Sequence, residues 1–360
     1  MITESTYHPE RLKETSGKLG RRVDPKMLEK VVYAFTLLEQ LRANDISLIF
    51  KGGTCLLLMT DPPRRFSIDI DIITETSQEE IETTLDKIVK ETRFTKWSAD
   101  NERKHVIGAP MSHYKIYYTS QLDQHYGDEP ILLDILYTAN PYSRIQTLEV
   151  THEWLEIEGK PVTVEVPVPE AILGDKLTAF APKTTGILYT KGRHTEIIKQ
   201  LFDISHLFDV SEDIGTVRAS YDKVVKEEIK FRKLDLDKNQ VLEDTFQACW
   251  ALALRDEKKP DFQHLKTGIQ NITNFIIGRF KIEEAIVAGA KTAYLCQILM
   301  NGTTSSPKKY SSPEEIKDWL IENATYNKLN KLKKSNPEAF YYWYQAINEI
   351  KVDVEEPAKK

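Results

Sequence analysis

At 360 residues the chain is long enough for two domains of ordinary size, each with its own core. Its balance of 41% hydrophobic and 29% charged residues excludes a disordered or fibrous protein, and no apolar run approaches the roughly 18 residues that span a bilayer. A net charge of −6 excludes a surface that coats nucleic acid throughout, so a polyanionic partner requires a local basic patch.

Cys55, Cys249 and Cys296 stand far apart without CxxC spacing, which predicts neither a zinc site nor a disulfide framework. The opening MITESTYHPERLKE has no apolar core segment of the kind a secretory leader needs, which points to the cytoplasm and to no membrane partner.

Met27–Leu41 repeats apolar residues at helical spacing behind Pro25, which suits a first turn. Ile46–Phe50 is a short apolar run that predicts a buried strand. It ends at Lys51-Gly52-Gly53-Thr54, and Cys55–Met59 then resumes a helical pattern until Asp61-Pro62-Pro63 stops it. Ser67–Ile73 alternates strictly and predicts a strand; Glu79–Thr92 is an amphipathic helix. His113–Thr119, Ile131–Tyr137 and Val162–Val166 predict further strands.

From Pro169 the pattern turns helical. Ala171–Ala181, Glu196–Phe208, Arg218–Lys233, Gln240–Leu254, Phe262–Ile277 and Ile282–Met300 all suit helices, and Asn301–Pro313 reads as an exposed linker before a last helical segment. The boundary is expected in the zone from Pro182 to Thr195, dividing an α/β domain over 1–185 from a helical domain over 186–360.

Asp69 and Asp71 carry the first chemical signal. Residues two apart on a strand share a face, so Ile68, Ile70 and Ile72 are expected in the core and both carboxylates on the other side. Asp-x-Asp alone is commonly a solvated strand face. Aspartate is nevertheless a poor strand former, and two like charges side by side repel unless a cation offsets them. Carboxylate oxygens are the ligands that Mg²⁺ prefers.

The glycine pair lies between a strand and a helix, where backbone amides can approach an anion closely. It matches neither a Walker A loop nor a dinucleotide fingerprint. Asp134 is a single acid within an otherwise apolar strand and is the candidate third metal ligand. Lys176 lies beside the helix face formed by Leu173, Leu177 and Phe180. Around it Lys183, Lys191, Arg193 and Lys199 outnumber Asp175 and Glu196. That local excess suits phosphates. His152-Glu153 lacks the second histidine of a zinc-protease motif, and Lys328–Lys334 reads as a solvated helix face.

The run KGGTCLLLMTDPPRRFSIDIDII resembles the first motif of the AbiEii/AbiGii-type nucleotidyltransferase toxins, relatives of the DNA polymerase β superfamily. The matching residues are Gly52, Gly53, Thr54, Arg65, Ser67, Asp69 and Asp71, with Lys51 just ahead of them. Asp134 fits the family's later acidic strand, and Gly174-Asp175-Lys176-Leu177 fits its nucleotide-contacting helix. Lys199-Gln200-Leu201-Phe202-Asp203-Ile204 resembles the final Arg-Asp-x-x-Asp element, with Lys199 and Gln200 in place of the usual Arg-Asp pair.

The resemblance implies an α+β fold, a polymerase β-like core with a mixed sheet followed by a C-terminal helical domain. It implies transfer of a nucleoside monophosphate from an NTP to an acceptor hydroxyl. Two Mg²⁺ ions, with Mn²⁺ as the alternative, are implied on Asp69, Asp71 and Asp134. Lys176 is implied at the triphosphate and Asp203 in positioning. The implied partners are an RNA (tRNA) 3′ end and a cognate antitoxin. A small-molecule or protein acceptor is the alternative, and an inactive nucleotide- or partner-binding module is a further one.

Overall fold

The computed structural model describes residues 1–19, 23–60, 62–100, 109–122 and 127–350, and the chain divides into two compact units. The first comprises Met1–Ile172, Lys230–Lys233 and Thr273–Arg279. The second comprises Leu173–Ile229, Leu234–Ile272 and Phe280–Lys360.

The first unit is built on one sheet. In chain order its elements are α1 (Pro9–Leu19), α2 (Pro25–Ala43), β1 (Ile49–Lys51), α3 (Gly52–Met59), β2 (Ile70–Thr74), α4 (Gln78–Glu91), β3 (Phe94–Ala99), β4 (Met111–Thr119), β5 (Asp128–Tyr137), β6 (Ile145–Glu149) and β7 (Thr163–Pro167). The seven strands run in the order β3-β4-β5-β2-β1-β7-β6, with β2/β5 and β1/β7 parallel and the other pairs antiparallel. This is the mixed sheet of an α+β protein.

The sheet's two faces differ sharply. Ile70, Ile72, Leu133, Ile135, Tyr114 and Ile116 are all buried to within about 1% exposure and form the core side. At the alternate positions, Asp71, Asp134, His113 and Lys115 are only partly covered. Period-two alternation therefore sorts apolar from polar side chains across neighbouring strands at once.

Local chemistry sets the ends of the helices. Pro25 occupies the first turn of α2, and the Asp24 side chain accepts from the Lys26 amide at 2.9 Å. Ser77 caps α4 by accepting from the Glu80 amide at 3.2 Å. α3 ends at Met59; Asp61, expected to help stop it, lies outside the described residues.

Several elements depart from the sequence expectation. Strand β2 begins at Ile70, so Asp69 immediately precedes it rather than lying within it. β3 and β6 were not expected: they are the two edges of the sheet, and β6 contributes no fully buried residue. The helix expected over Phe262–Ile277 stops at Asn271, the chain passes through a short 3-10 turn over Ile272–Asn274, and Phe275–Ile277 then runs against Arg64–Phe66. There Ile276 bridges Arg65, the Phe66 amide donates to the Phe275 carbonyl at 2.7 Å and the Ile277 amide to the Arg64 carbonyl at 2.9 Å. Asn271, Thr273 and Asn274 are weak helix formers, and Gly278 has φ +110°, so the backbone has reason to leave the helix there.

The second unit is helical. α5 (Pro169–Ala179) leads into it, followed by α6 (His194–Val210), α7 (Ile214–Arg232), α8 (Lys238–Leu254), α9 (Pro260–Asn271), α10 (Ile282–Met300), α11 (Leu332–Ser335) and α12 (Pro337–Glu349). α10 packs against α6, α8 and α12 and is buried along nearly its whole length. Its one internal cation, Lys291, is 7% exposed and is paired with Asp209 at 2.8 Å and Glu338 at 3.0 Å, which meets the condition for burying a charge. Among the described residues no helix is long and apolar enough to cross a membrane.

Because Leu133 is fully buried in the central β5, replacing it with alanine opens a cavity that closed packing cannot refill. Leu133→Ala is expected to lower stability by roughly 2–5 kcal/mol, read as a shift of the chemical-denaturation midpoint. A change below about 0.5 kcal/mol, typical of surface substitutions, would contradict the packing described.

Candidate active site

Register alone brings four side chains into one line. His113 on β4 pairs directly with Asp134 on β5, Asp134 pairs with Asp71 on β2, and Asp71 pairs with Lys51 on β1. Residues directly opposite each other across a pleated sheet point to the same face. The row therefore reads His113, Asp134, Asp71, Lys51, with two acids in the middle and a donor at each end. The His113 Nδ1 lies 2.8 Å from Asp134 Oδ1, and the two side chains are 8% and 13% exposed. Lys51 Nζ stands 5.9 Å from the Tyr142 ring centre.

The glycine turn packs onto this row residue by residue. Gly52 has φ +79°, and a Cβ there would lie 2.1 Å from Asp71 Oδ2. A Cβ on Gly53 would lie 2.5 Å from Arg65 Nη2 and 2.8 Å from Ser67 Oγ. The buried Thr54 hydroxyl donates to the Asp69 carbonyl at 2.6 Å. Gly52, Gly53 and Thr54 thus meet Asp71, the Arg65/Ser67 pair and Asp69 in turn. Arg65 is itself buried and donates from Nη1 to the Phe66 carbonyl at 3.0 Å. The glycines were expected to admit a ligand; their first service is to let the turn lie directly on the acidic strand.

Asp71 and Asp134 sit side by side, while Asp69 is held through its backbone just ahead of β2. Among the described residues, no three His, Cys, Asp or Glu side chains gather closely enough to hold a metal ion as they stand. The donor chemistry nonetheless suits a hard cation. Two carboxylates on adjacent strands repel each other, a repulsion that an oxygen-preferring divalent cation would offset.

The remaining expected residues lie in the second unit. Lys176 on α5 is 7% exposed, and its Nζ donates to Asp203 Oδ2 at 2.8 Å and Gln200 Oε1 at 3.0 Å; Asp203 is 2% exposed. Lys199 pairs with Glu196 at 2.9 Å. His206 turns its Nδ1 to the Phe202 carbonyl at 2.9 Å, and Asp209 is engaged with Lys291. Sequence reasoning singled out neither His113 nor the contact of Gln200 with Lys176. His113 sat at an alternating position of a predicted strand, but only the pairing register reveals that it faces Asp134.

Two substitutions follow from this geometry. Gly52→Ala forces an L-residue into positive φ, at about 1–2 kcal/mol, and drives a methyl into the Asp71 carboxylate. Nucleotidyl transfer is expected to fall at least 100-fold while the fold survives, since the atom displaced is the end of a side chain. Wild-type turnover in a folded Gly52→Ala variant would contradict it. Lys176→Met removes one partner of a buried ion pair and is expected to destabilise the protein by roughly 3–5 kcal/mol, read by denaturant unfolding. A negligible change would contradict the buried pair.

Comparison with curated proteins found no match. Among solved structures, the chain resembles a candidate nucleotidyltransferase from H. pylori at 17% identity and TM-score 0.42, covering 76% of this chain and 94% of that one. JHP933 from Helicobacter pylori gives 14% identity and TM-score 0.42 over 78% and 96% of the two chains. An antigenic nucleotidyltransferase-like protein from Paracoccidioides brasiliensis gives 13% identity and TM-score 0.37 over 57% and 89%. These likenesses are loose, and family membership rests on sequence. The family model for the nucleotidyl transferase AbiEii toxin of type IV toxin–antitoxin systems matches residues 36–268, well over half of the chain. The protein therefore belongs to the AbiEii nucleotidyl transferase toxin family.

Proposed function

We propose that this toxin nucleotidyltransferase moves a nucleoside monophosphate from an NTP to the hydroxyl at an RNA 3′ end, tRNA being the acceptor. The reading is carried by one observation above all: Asp71 and Asp134 occupy paired positions on adjacent strands, with the Gly52-Gly53 turn packed against them.

The acceptor oxygen forms a bond to the α-phosphorus as the bond to the β-phosphate bridging oxygen breaks. Pyrophosphate leaves, and the hydroxyl proton passes to solvent. Asp69, Asp71 and Asp134 would hold two divalent ions, Mg²⁺ or Mn²⁺. When bound, such ions lower the pKa of an attacking hydroxyl and neutralise the leaving pyrophosphate. Gly52, Gly53, Thr54, Lys51, Arg65 and Ser67 line the turn side, where backbone amides and the two cations suit triphosphate oxygens. Lys176, positioned by Asp203, steadies the triphosphate, with Lys199 nearby in sequence.

The domain division proposed is an α/β catalytic part over 1–185 and a helical part over 186–360 that shapes the acceptor site. Membership of a type IV toxin–antitoxin family implies an antitoxin counterpart. Use of NTP and RNA suits a cytoplasmic setting.

The test is incubation of the full chain with labelled NTPs, Mg²⁺ and total tRNA. Label is expected on tRNA with the wild type and on none with the Asp69→Ala, Asp71→Ala double variant. Transfer persisting in the double variant would remove the carboxylate mechanism. Label on a small molecule or protein instead would reassign the acceptor, and nucleotide binding without pyrophosphate release would mark a binding module.

A further inference from the structure

We infer that His113 is a positioning residue that orients Asp134 to receive a divalent cation; this deepens the proposed function and rests on it.

The geometry begins with the backbone. The His113 carbonyl accepts from the Asp100 amide at 2.7 Å, at the end of β3. In an extended strand a residue's N–H and C=O point to the same side, so those of His113 are turned towards β3 and away from β5. The His113/Asp134 pair is consequently of the non-hydrogen-bonded kind. In that kind the Cα atoms approach to about 4.5 Å, rather than about 5.5 Å, and side chains stand closest. The sheet itself presses this imidazole against this carboxylate.

The chemistry assigns the direction of the bond. An ionised carboxylate can only accept, so Nδ1 of His113 carries the proton in the 2.8 Å contact with Asp134 Oδ1. One fixed carboxylate oxygen fixes the plane of the group. Without that bond, Asp134 beside the like-charged Asp71 would have reason to rotate away from it. With it, the two acids are held as neighbours while the cation is still to come. Partners that orient metal-binding side chains commonly matter 10- to 100-fold in affinity. His113 is 8% exposed, so its ring is also held by its surroundings and loses little freedom on making the bond.

The experiment measures Mn²⁺ binding to the full chain without substrate, by the electron paramagnetic resonance signal of free Mn²⁺. It compares wild type with His113→Ala, His113→Asn, His113→Gln and Asp134→Ala. The Asn amide nitrogen falls where Nδ1 was, whereas the Gln amide nitrogen falls nearer the position of Nε2. His113→Ala and His113→Gln are expected to bind Mn²⁺ about 10- to 100-fold more weakly, and His113→Asn to keep most of the affinity. In transfer assays His113→Ala should raise the Mg²⁺ concentration for half-maximal rate more than it lowers the rate at saturating Mg²⁺. Should His113→Ala bind like wild type while Asp134→Ala loses binding, the role of His113 is overturned and the carboxylate site stands. Equal effects of Asn and Gln would also overturn it, since bulk rather than the donor would then matter. Unchanged binding in Asp134→Ala would remove the carboxylate assignment itself.

Discussion

The parallel pairing of β2 with β5 sets Asp71 opposite Asp134, and everything proposed for the site depends on that adjacency. A shift of one residue in the register would turn one carboxylate into the apolar face, where an unpaired charge is costly. The register is held because the opposite face is filled by Ile70, Ile72, Leu133 and Ile135, all but fully buried. Core packing on one side of the sheet thus fixes the electrostatics on the other. The two acids are flanked by His113 and Lys51, a sequence of charges and donors that disperses part of their mutual repulsion along the row.

The second unit applies the same logic with different means. Lys176 is buried with Asp203 and Gln200, and the amide in place of a second acid leaves the lysine one formal negative partner there rather than two. A buried ion pair adds little net stability, but removing one partner is severe, so such a pair resists substitution and holds its geometry. In α10, Lys291 with Asp209 and Glu338 is a purely structural counterpart.

Much of this was readable in the residues, and the limit is physical. Strong alternation and apolar periodicity announced β2, β4, β5 and the long helices, because each buries a full face. The edge strands β3 and β6 bury little and so carry a weak signal. Asp69, Asp71, Asp134 and Lys176 stood out because charge interrupts an apolar pattern at each. What no linear pattern contains is adjacency between strands distant in sequence. His113 could be placed on a strand, yet its partner 21 residues away emerges only from the pairing. The pairing of Phe275–Ile277 was hidden for the same reason: its partners, Arg64–Phe66, lie far back in the chain.

In the function proposed, Asp71 and Asp134 share a divalent cation at a bound triphosphate. The most direct measurement is a crystal structure of the full chain with Mn²⁺ and a non-hydrolysable NTP analogue, read through manganese anomalous scattering. An anomalous peak is expected within about 2.0–2.4 Å of oxygens from both side chains, the range for hard cations on carboxylates. A triphosphate bound elsewhere, or manganese held by other residues while this pair stays empty, would contradict it.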